Sequence, residues 1–546
     1  MLKGCVPWPE EFARRYVEAG LWEGVTVAGM VERTARLQPH KLAIIHGDTR
    51  MTYEELVRAA KRLACGLSSM GFEREDRAVV QLPNCPEFVC LYLALNYVGV
   101  IPVMALRSHR HAEVRHFTHS SGAVAYFIAD RVGSFDYRSM AAEILAECPS
   151  LRHVIVVGEP GPNQVPYRTL TSNSAVDEDL LARVRPEPSD VSTMLLSGGT
   201  TALSKLIPRT HNDYVLNARL CAQVAGFSSE TVFLAMLPLG HNYNLASPGM
   251  LGAFYAGATL VIARSTDANE VFTTVSRERV TVMAAVVPLI TTWVNSDIAQ
   301  HFDVSSLRVV QNGGARLAPE LRARLRNELG CTPQEIYGTA EGLINMTRLT
   351  DGDDLLLESS GAPVSEWDEI AVLDDQDRVA PDGQQGELVT RGPYTIRGYY
   401  NAPDVNARAF TADGFYRMGD IVRKRGRYVY TEGRRKDLIN RGGEKISCDE
   451  VENLIFKLSQ VREVSLVAMP DPIFGEKACA CVVLQPGTEL AFNDLIAHLS
   501  SQQIASFKLP ERLEIMESFP VSPAGKILKR ELREMVAQRI ALEQAR

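Results

Sequence analysis

The chain has 546 residues, 46% hydrophobic and 23% charged, a globular composition too long for one compact core. A net charge of −8 argues against nucleic acid as the main partner. The start, Met1 to Glu11, lacks the apolar run of a signal peptide, and the longest apolar region, Val89 to Leu106, is broken by Asn96, Gly99 and Pro102. That region reads as a buried helix and the start of a strand, with no membrane partner implied.

Strand-like runs at Leu42–Ile45, Ala78–Gln81, Ala123–Ile128 and Val154–Val157 alternate with helical stretches. Thr52 with Glu55 three residues on is a capping box, and Leu56, Ala59, Ala60, Leu63 and Leu67 form the apolar face behind it. Alternation predicts mostly parallel sheets with helices on their faces. It resumes with Val232–Met236, Thr259–Ile262, Val282–Val286 and Leu307–Val310. Between about 350 and 430, short strands and turns at Asp351-Gly, Asp382-Gly and Asp413-Gly predict a small, barrel-like antiparallel β unit.

A boundary is expected near Gly433–Asp437, giving a body over 1–435 and a lid over 436–546. Within the lid, Ser447 and Glu450 form a second capping box, ahead of Val451, Leu454, Ile455 and Leu458. Strands at Val464–Val467 and Cys479–Leu484, a helix over 492–503 and a strand at Leu513–Ile515 complete an α/β module of about 110 residues. The ten cysteines lack metal-ligand spacing; Cys479 and Cys481 alternate and are expected to pack on one face. Reduced thiols and a cytoplasmic location follow.

The chemistry starts at Ser197, Gly198, Gly199, Thr200, Thr201, Ala202 and Lys205, directly after the apolar run Val191–Leu196. Two glycines, several hydroxyls and one lysine after a strand make a cradle for phosphate. It is not a Walker loop, because no Gly-Lys-Ser/Thr follows. A dinucleotide-binding oxidoreductase is suggested only by Val154–Gly158 with Gly161, and no G-x-G-x-x-G follows.

This loop resembles that of the adenylate-forming enzymes, the superfamily of acyl-CoA synthetases, peptide-synthetase adenylation domains and luciferases. Four more segments match in order. Gly313, Gly314 and Ala315 resemble the backbone lining of the acyl and adenine sites. Tyr337-Gly338-Thr339-Ala-Glu341 resembles the adenine and metal motif, Tyr416–Asp420 with Arg434 the ribose motif, and Pro523–Lys526 the catalytic-lysine loop. The resemblance implies ATP and Mg²⁺ as cofactors. Tyr337 would then stack on adenine, Glu341 bind Mg²⁺, Asp420 and Arg434 hold the ribose, and Lys526 bridge the incoming carboxylate and the α-phosphate. From Arg423 to Lys445 the chain holds nine Lys/Arg against three Asp/Glu. By the resemblance Lys436 is the hinge, and Gly442–Lys445 approaches a phosphopantetheine thiol in a second half-reaction, with Lys445 at its end.

The pocket segment Leu237–Gly249 places Asn242 where α-amino-acid enzymes carry an aspartate for the substrate ammonium. Burying an unpaired ammonium costs several kcal/mol, so α-amino acids are rejected. His241-Asn242-Tyr243, Trp8–Tyr16, Leu203–Thr210, Arg391–Tyr400 and Asn440–Lys445 resemble the stand-alone aryl-acid ligases of the 2,3-dihydroxybenzoate–AMP ligase subfamily. That resemblance implies an ortho-hydroxy aromatic acid as substrate, of the salicylate, 2,3-dihydroxybenzoate or 3-hydroxypicolinate type. Asn242 and Ser247 would bond its hydroxyl, Tyr243 pack on the ring, Ile336 and Ile344 wall the pocket, and His241 gate the carboxylate end. The acceptor is an aryl carrier protein with phosphopantetheine, or CoA, in siderophore or nonribosomal peptide assembly. Two residues depart from the pattern: Ala202 where glycine is expected, and Asn312 ahead of Gly313, expected at the pocket floor to read a second hydroxyl or a ring nitrogen.

Overall fold

The computed structural model describes residues 1–172, 175–197, 204–294, 296–314, 316–317, 319–374, 376–434, 438–455, 457–520 and 529–544. The chain divides into two compact units, one made of 1–107, 117–197 and 205–433, the other mainly of 434–546. Among the described residues the first unit carries two large sheets of mostly parallel strands, a small antiparallel sheet and a two-stranded ribbon at Arg131–Val132/Phe135–Asp136. One is seven-stranded, with Ile101–Met104, Arg77–Gln81, Ala125–Ala129 and His153–Val157 running parallel. Its edge is the antiparallel pair Val191–Leu196 and Leu206–Thr210, the two strands that flank the expected phosphate loop. Such strands read as continuous apolar runs because helices cover both faces of the sheet.

The second sheet is nine-stranded. Its parallel centre runs Thr332–Thr339, Val309–Gly313, Val282–Ala285, Val232–Ala235, Thr259–Ile262 and Leu42–His46. The capping box at Thr52 forms as expected, with Glu55 reaching back to the Thr52 N–H, and opens the helix Tyr53–Ser69. The apolar stretch after residue 85 is the helix Pro86–Val98, buried from Phe88 to Val98, followed by the strand Ile101–Met104. Among the described residues no helix is long and apolar enough to cross a membrane.

The small β unit is a four-stranded sheet in the linear order Glu369–Leu373, Gln385–Arg391, Tyr416–Arg425 and Tyr428–Arg434. One expected turn is instead a helix start: Asp353 and Asp354 open Asp353–Glu358, where the dipole favours acidic side chains.

In the second unit, Val461–Asp471 and Gly475–Leu484 pair antiparallel, Arg512–Ile515 joins them in parallel, and the hairpin Leu438–Arg441/Glu444–Ser447 sits at the far edge. Cys479 and Cys481 pack on one face with Val467, Phe519 and Leu532. All ten cysteines are free thiols.

Candidate active site

The ends of two parallel strands assemble the site in the first unit. Tyr337 and Thr339 lie on Thr332–Thr339, which turns back antiparallel through Gly342–Met346. The Tyr337 hydroxyl donates to Asp420 Oδ2 at 2.9 Å, joining the expected adenine and ribose motifs across 83 residues of chain. Thr339 Oγ1 donates to the Gly342 carbonyl at 3.0 Å, fixing the turn that carries Glu341. Glu341 is buried, and its Oε1 accepts from Tyr399 Oη at 2.8 Å. Tyr399 in turn meets the Tyr416 hydroxyl at 3.1 Å and lies 5.2 Å below the Lys205 ammonium. Burial, then the Glu341 charge, push the Tyr399 hydroxyl well above its ordinary range, so it remains a donor.

Arg209 locks this turn in place. It is fully buried, paired with Asp213 at 2.7 Å, and donates to the carbonyls of Ala340 and Tyr394 at 2.9 and 3.1 Å. The Tyr394 hydroxyl donates to Asp368 and accepts from the Ile344 N–H at 3.5 Å. Burial raises the Asp368 carboxyl from 3.8 to about 7, with the Tyr394 bond opposing it.

The pocket residues converge. His241 caps the short helix Asn242–Ala246, its Nδ1 accepting from the Tyr243 N–H at 3.3 Å, and its side chain is exposed. Asn242 is buried; its Oδ1 accepts from Tyr214 Oη at 2.9 Å and its Nδ2 approaches Ser247 Oγ at 3.4 Å. Asn217 Nδ2 approaches the same Ser247 oxygen at 3.4 Å. Because Ser247 accepts from two amides, its own proton is left to donate elsewhere. Tyr243 presses on Gly313: a Cβ there would stand 2.9 Å from the ring. Gly314 adopts φ +85°, Ile336 pairs with Gly313 and Ile344 with Gly338, and both isoleucines share a buried cluster with Tyr243.

Asn312 does not join the pocket floor. Side chains alternate along a strand, and Asn312 points to the face opposite Gly313. There its Nδ2 donates to Glu335 Oε2 at 2.9 Å, with Arg322 3.1 Å from the same oxygen. The sequence reading put it one residue out of register. Gln311, which that reading missed, shares the face of Gly313. Its Nε2 donates to Gln334 at 3.0 Å, leaving a buried Oε1 without a partner among the described residues. Tyr399 and Arg209 were missed as well, since nothing local in sequence marks their partners.

Ser197 and Lys205 close the base of the phosphate loop, with N–H to carbonyl at 2.9 Å and Lys205 N–H to Ser197 Oγ at 2.9 Å. Gly198, Gly199, Thr200, Thr201, Ala202, Ala315, Lys436 and Lys526 lie outside the described residues. Arg434 ends the strand Tyr428–Arg434 and Lys445 lies in Glu444–Ser447; only their backbone is described. The site thus offers a buried carboxylate, a tyrosine–aspartate pair and a cluster of neutral amides next to an aromatic ring.

Comparison with known proteins gives the same picture. The AMP-binding enzyme model matches residues 31–400, and the AMP-binding enzyme C-terminal domain matches 450–526. The chain is 42% identical to a 2,3-dihydroxybenzoate-AMP ligase of Bacillus subtilis, covering 99% of each chain. It is 44% identical to a salicylyl-CoA synthase / salicylate adenylyltransferase of a Streptomyces species, covering 98% of each. The apo structure of MbtA from Mycobacterium smegmatis is similar at a TM-score of 0.75 and 38% identity, over 97% of this chain and 98% of that one. The chain belongs to the AMP-binding enzyme family, which works with ATP, and within it to the adenylate-forming aryl-acid ligases.

Proposed function

We propose that the protein activates an ortho-hydroxy aromatic carboxylic acid with ATP and passes the aryl group to the phosphopantetheine thiol of an aryl carrier protein. The observation that carries this reading is the buried cluster of Tyr214, Asn217, Asn242 and Ser247 beside the Tyr243 ring. It offers a hydroxyl proton and amide hydrogens to a ring oxygen and no carboxylate to an ammonium. A site built to pair a hydroxyl rejects analogues lacking it, so unsubstituted benzoate is a poor substrate.

In the first half-reaction a substrate carboxylate oxygen bonds to the α-phosphorus of ATP, and the bond to pyrophosphate breaks. Two anions must meet, and Lys526 is the cation assigned to bridge them. Tyr337 takes the adenine, Asp420 and Arg434 the ribose, and Ser197 to Thr201 with Lys205 the phosphates. Glu341 suits Mg²⁺: it is buried, makes no ion pair among the described residues, and has one oxygen steadied by a neutral hydroxyl. When bound, the ion neutralises charge on the pyrophosphate. In the second half-reaction the thiol sulfur bonds to the acyl carbon, AMP leaves and the thiol loses its proton. We assign Gly442–Lys445 to that step, Lys436 to the hinge, and residues 436–546 to a lid that serves both steps in turn.

The relative named as both a salicylyl-CoA synthase and a salicylate adenylyltransferase favours a second reading, with free CoA as acceptor. The product feeds siderophore or nonribosomal peptide assembly in the cytoplasm, where the free thiols stay reduced. Acid-dependent exchange of labelled pyrophosphate into ATP tests the first step. Transfer to a phosphopantetheinylated carrier, run beside CoA, tests the second. Exchange with amino acids but with no aryl acid would overturn the reading.

A further inference from the structure

The helix Val27–Leu37 presents Gly29, Glu32, Arg33, Arg36 and Leu37 along one stripe, at spacings of one, three and four residues. With Arg185 they line a cleft of about 290 Å³, the lower end of the usual range for small-molecule sites. None of these residues belongs to the adenylation site. Charge around the cleft is unbalanced. Arg33 and Arg219 share Glu23, Arg36 and Lys61 share Glu32, Lys61 also takes Glu178, and Arg185 makes no ion pair among the described residues. This network holds five cations and three carboxylates, and of these Arg33, Arg36, Arg185 and Glu32 line the cleft.

Arg185 is also badly placed for a lone cation. Arg185 is exposed, and its Nη2 lies 3.5 Å from where a Gly29 Cβ would stand, beside the first turn of the helix, whose dipole adds positive charge. Two buried polar groups nearby are unmatched. The Tyr97 hydroxyl and His211 Nε2 have no hydrogen-bond partner among the described residues. Since His211 Nδ1 accepts the Val27 N–H at 3.1 Å and burial keeps the ring neutral, Nε2 carries the proton. Both groups are buried donors, and neither is among the residues that line the cleft.

We propose that this cleft binds a small phosphate-bearing anion, held by Arg33, Arg36 and Arg185. Two surplus positive charges match a phosphate dianion. The bonds of Arg33 and Arg36 to Glu23 and Glu32 each use one nitrogen of the fork, so N–H donors remain for a ligand. The inference does not depend on which acid the enzyme activates.

Inorganic phosphate is titrated into the full-length protein by calorimetry, with ionic strength held constant by chloride. The parent is compared with Arg185→Gln and with Arg36→Gln/Arg185→Gln. Reading the difference between proteins cancels phosphate taken up at the ATP site, and pyrophosphate exchange serves as the control for folding. The expected result is a Kd raised at least tenfold in the double variant with exchange within twofold of the parent. Glycerol 3-phosphate is run in parallel. If it alone shows the difference, the phosphate belongs to an organic ligand; if inorganic phosphate shows it equally, free phosphate suffices. Identical titrations of both probes in all three proteins would overturn the proposal.

Discussion

We assign the choice of acid to Asn242. Its amide is held by Tyr214 on one side and Ser247 on the other, so replacing it with aspartate sets a buried negative charge beside the substrate carboxylate. Asn242→Asp is expected to lower kcat/KM for salicylate-type acids by about 100-fold, roughly 3 kcal/mol, with the KM for ATP within twofold. An equal loss in both parameters would contradict the assignment. Tyr337→Phe removes one hydrogen bond to Asp420, worth about 1 kcal/mol, and should raise the KM for ATP about fivefold without changing acid preference. Asp368 gives a prediction in pH. Its folded value of about 7 lies above the ordinary 3.8, so the folded chain holds a proton that the unfolded chain has lost. Stability therefore falls as pH rises from about 4 to about 7 and is level above that, by at most about 4 kcal/mol. Asp368→Asn should flatten this slope and melt higher than the parent at pH 8; parallel melting curves across pH would refute it. Glu341, Asp420 and Tyr337 were legible because each sits in a short motif. Arg209, Tyr399 and Asp368 were not, because each acts through a partner remote in sequence (Ala340, Glu341 and Tyr394) that only the fold supplies.

At the scale of elements, strand alternation decides which side chains face the proposed acid site. Gly313 and Gln311 share one face of Val309–Gly313 and Asn312 takes the other, where Glu335 and Arg322 hold it. The sequence alone showed that a strand ends here but not its phase, because a run buried on both faces has no polar–apolar alternation to read. Gly313→Ala would set a methyl 2.9 Å from the Tyr243 ring. The ring must move into the acid pocket, so the KM for the aryl acid should rise at least tenfold while ATP binding is spared. Unchanged kinetics for the acid would mean that Tyr243 does not wall the pocket. The capping box at Thr52 and the parallel strands were legible from local chemistry. The hairpin Leu438–Arg441/Glu444–Ser447 was read only as a motif, although Gly442 and Gly443, at φ +58° and +97°, are what its two-residue turn requires. A turn was expected at Asp351-Gly, where the helix Asp353–Glu358 begins, because an acidic opening suits both outcomes.

For the whole molecule, the alternation of strands and helices and the composition break near residue 433 carried the architecture, and the family motifs carried the chemistry. The central proposal is a division of labour within the C-terminal unit: one chain runs two reactions with different residues of that part. Lys526→Ala should reduce acid-dependent pyrophosphate exchange by at least 100-fold. Lys445→Ala should leave exchange within threefold and slow aryl transfer to the carrier by tenfold or more. The most direct measurement is pyrophosphate exchange with salicylate, 2,3-dihydroxybenzoate, 3-hydroxypicolinate, benzoate and a set of amino acids, run on the parent and on Lys526→Ala. The account predicts strong exchange with at least one ortho-hydroxy acid, weak exchange with benzoate, none with amino acids, and loss of the signal in the variant. Exchange driven equally by benzoate, or surviving in Lys526→Ala, would contradict it.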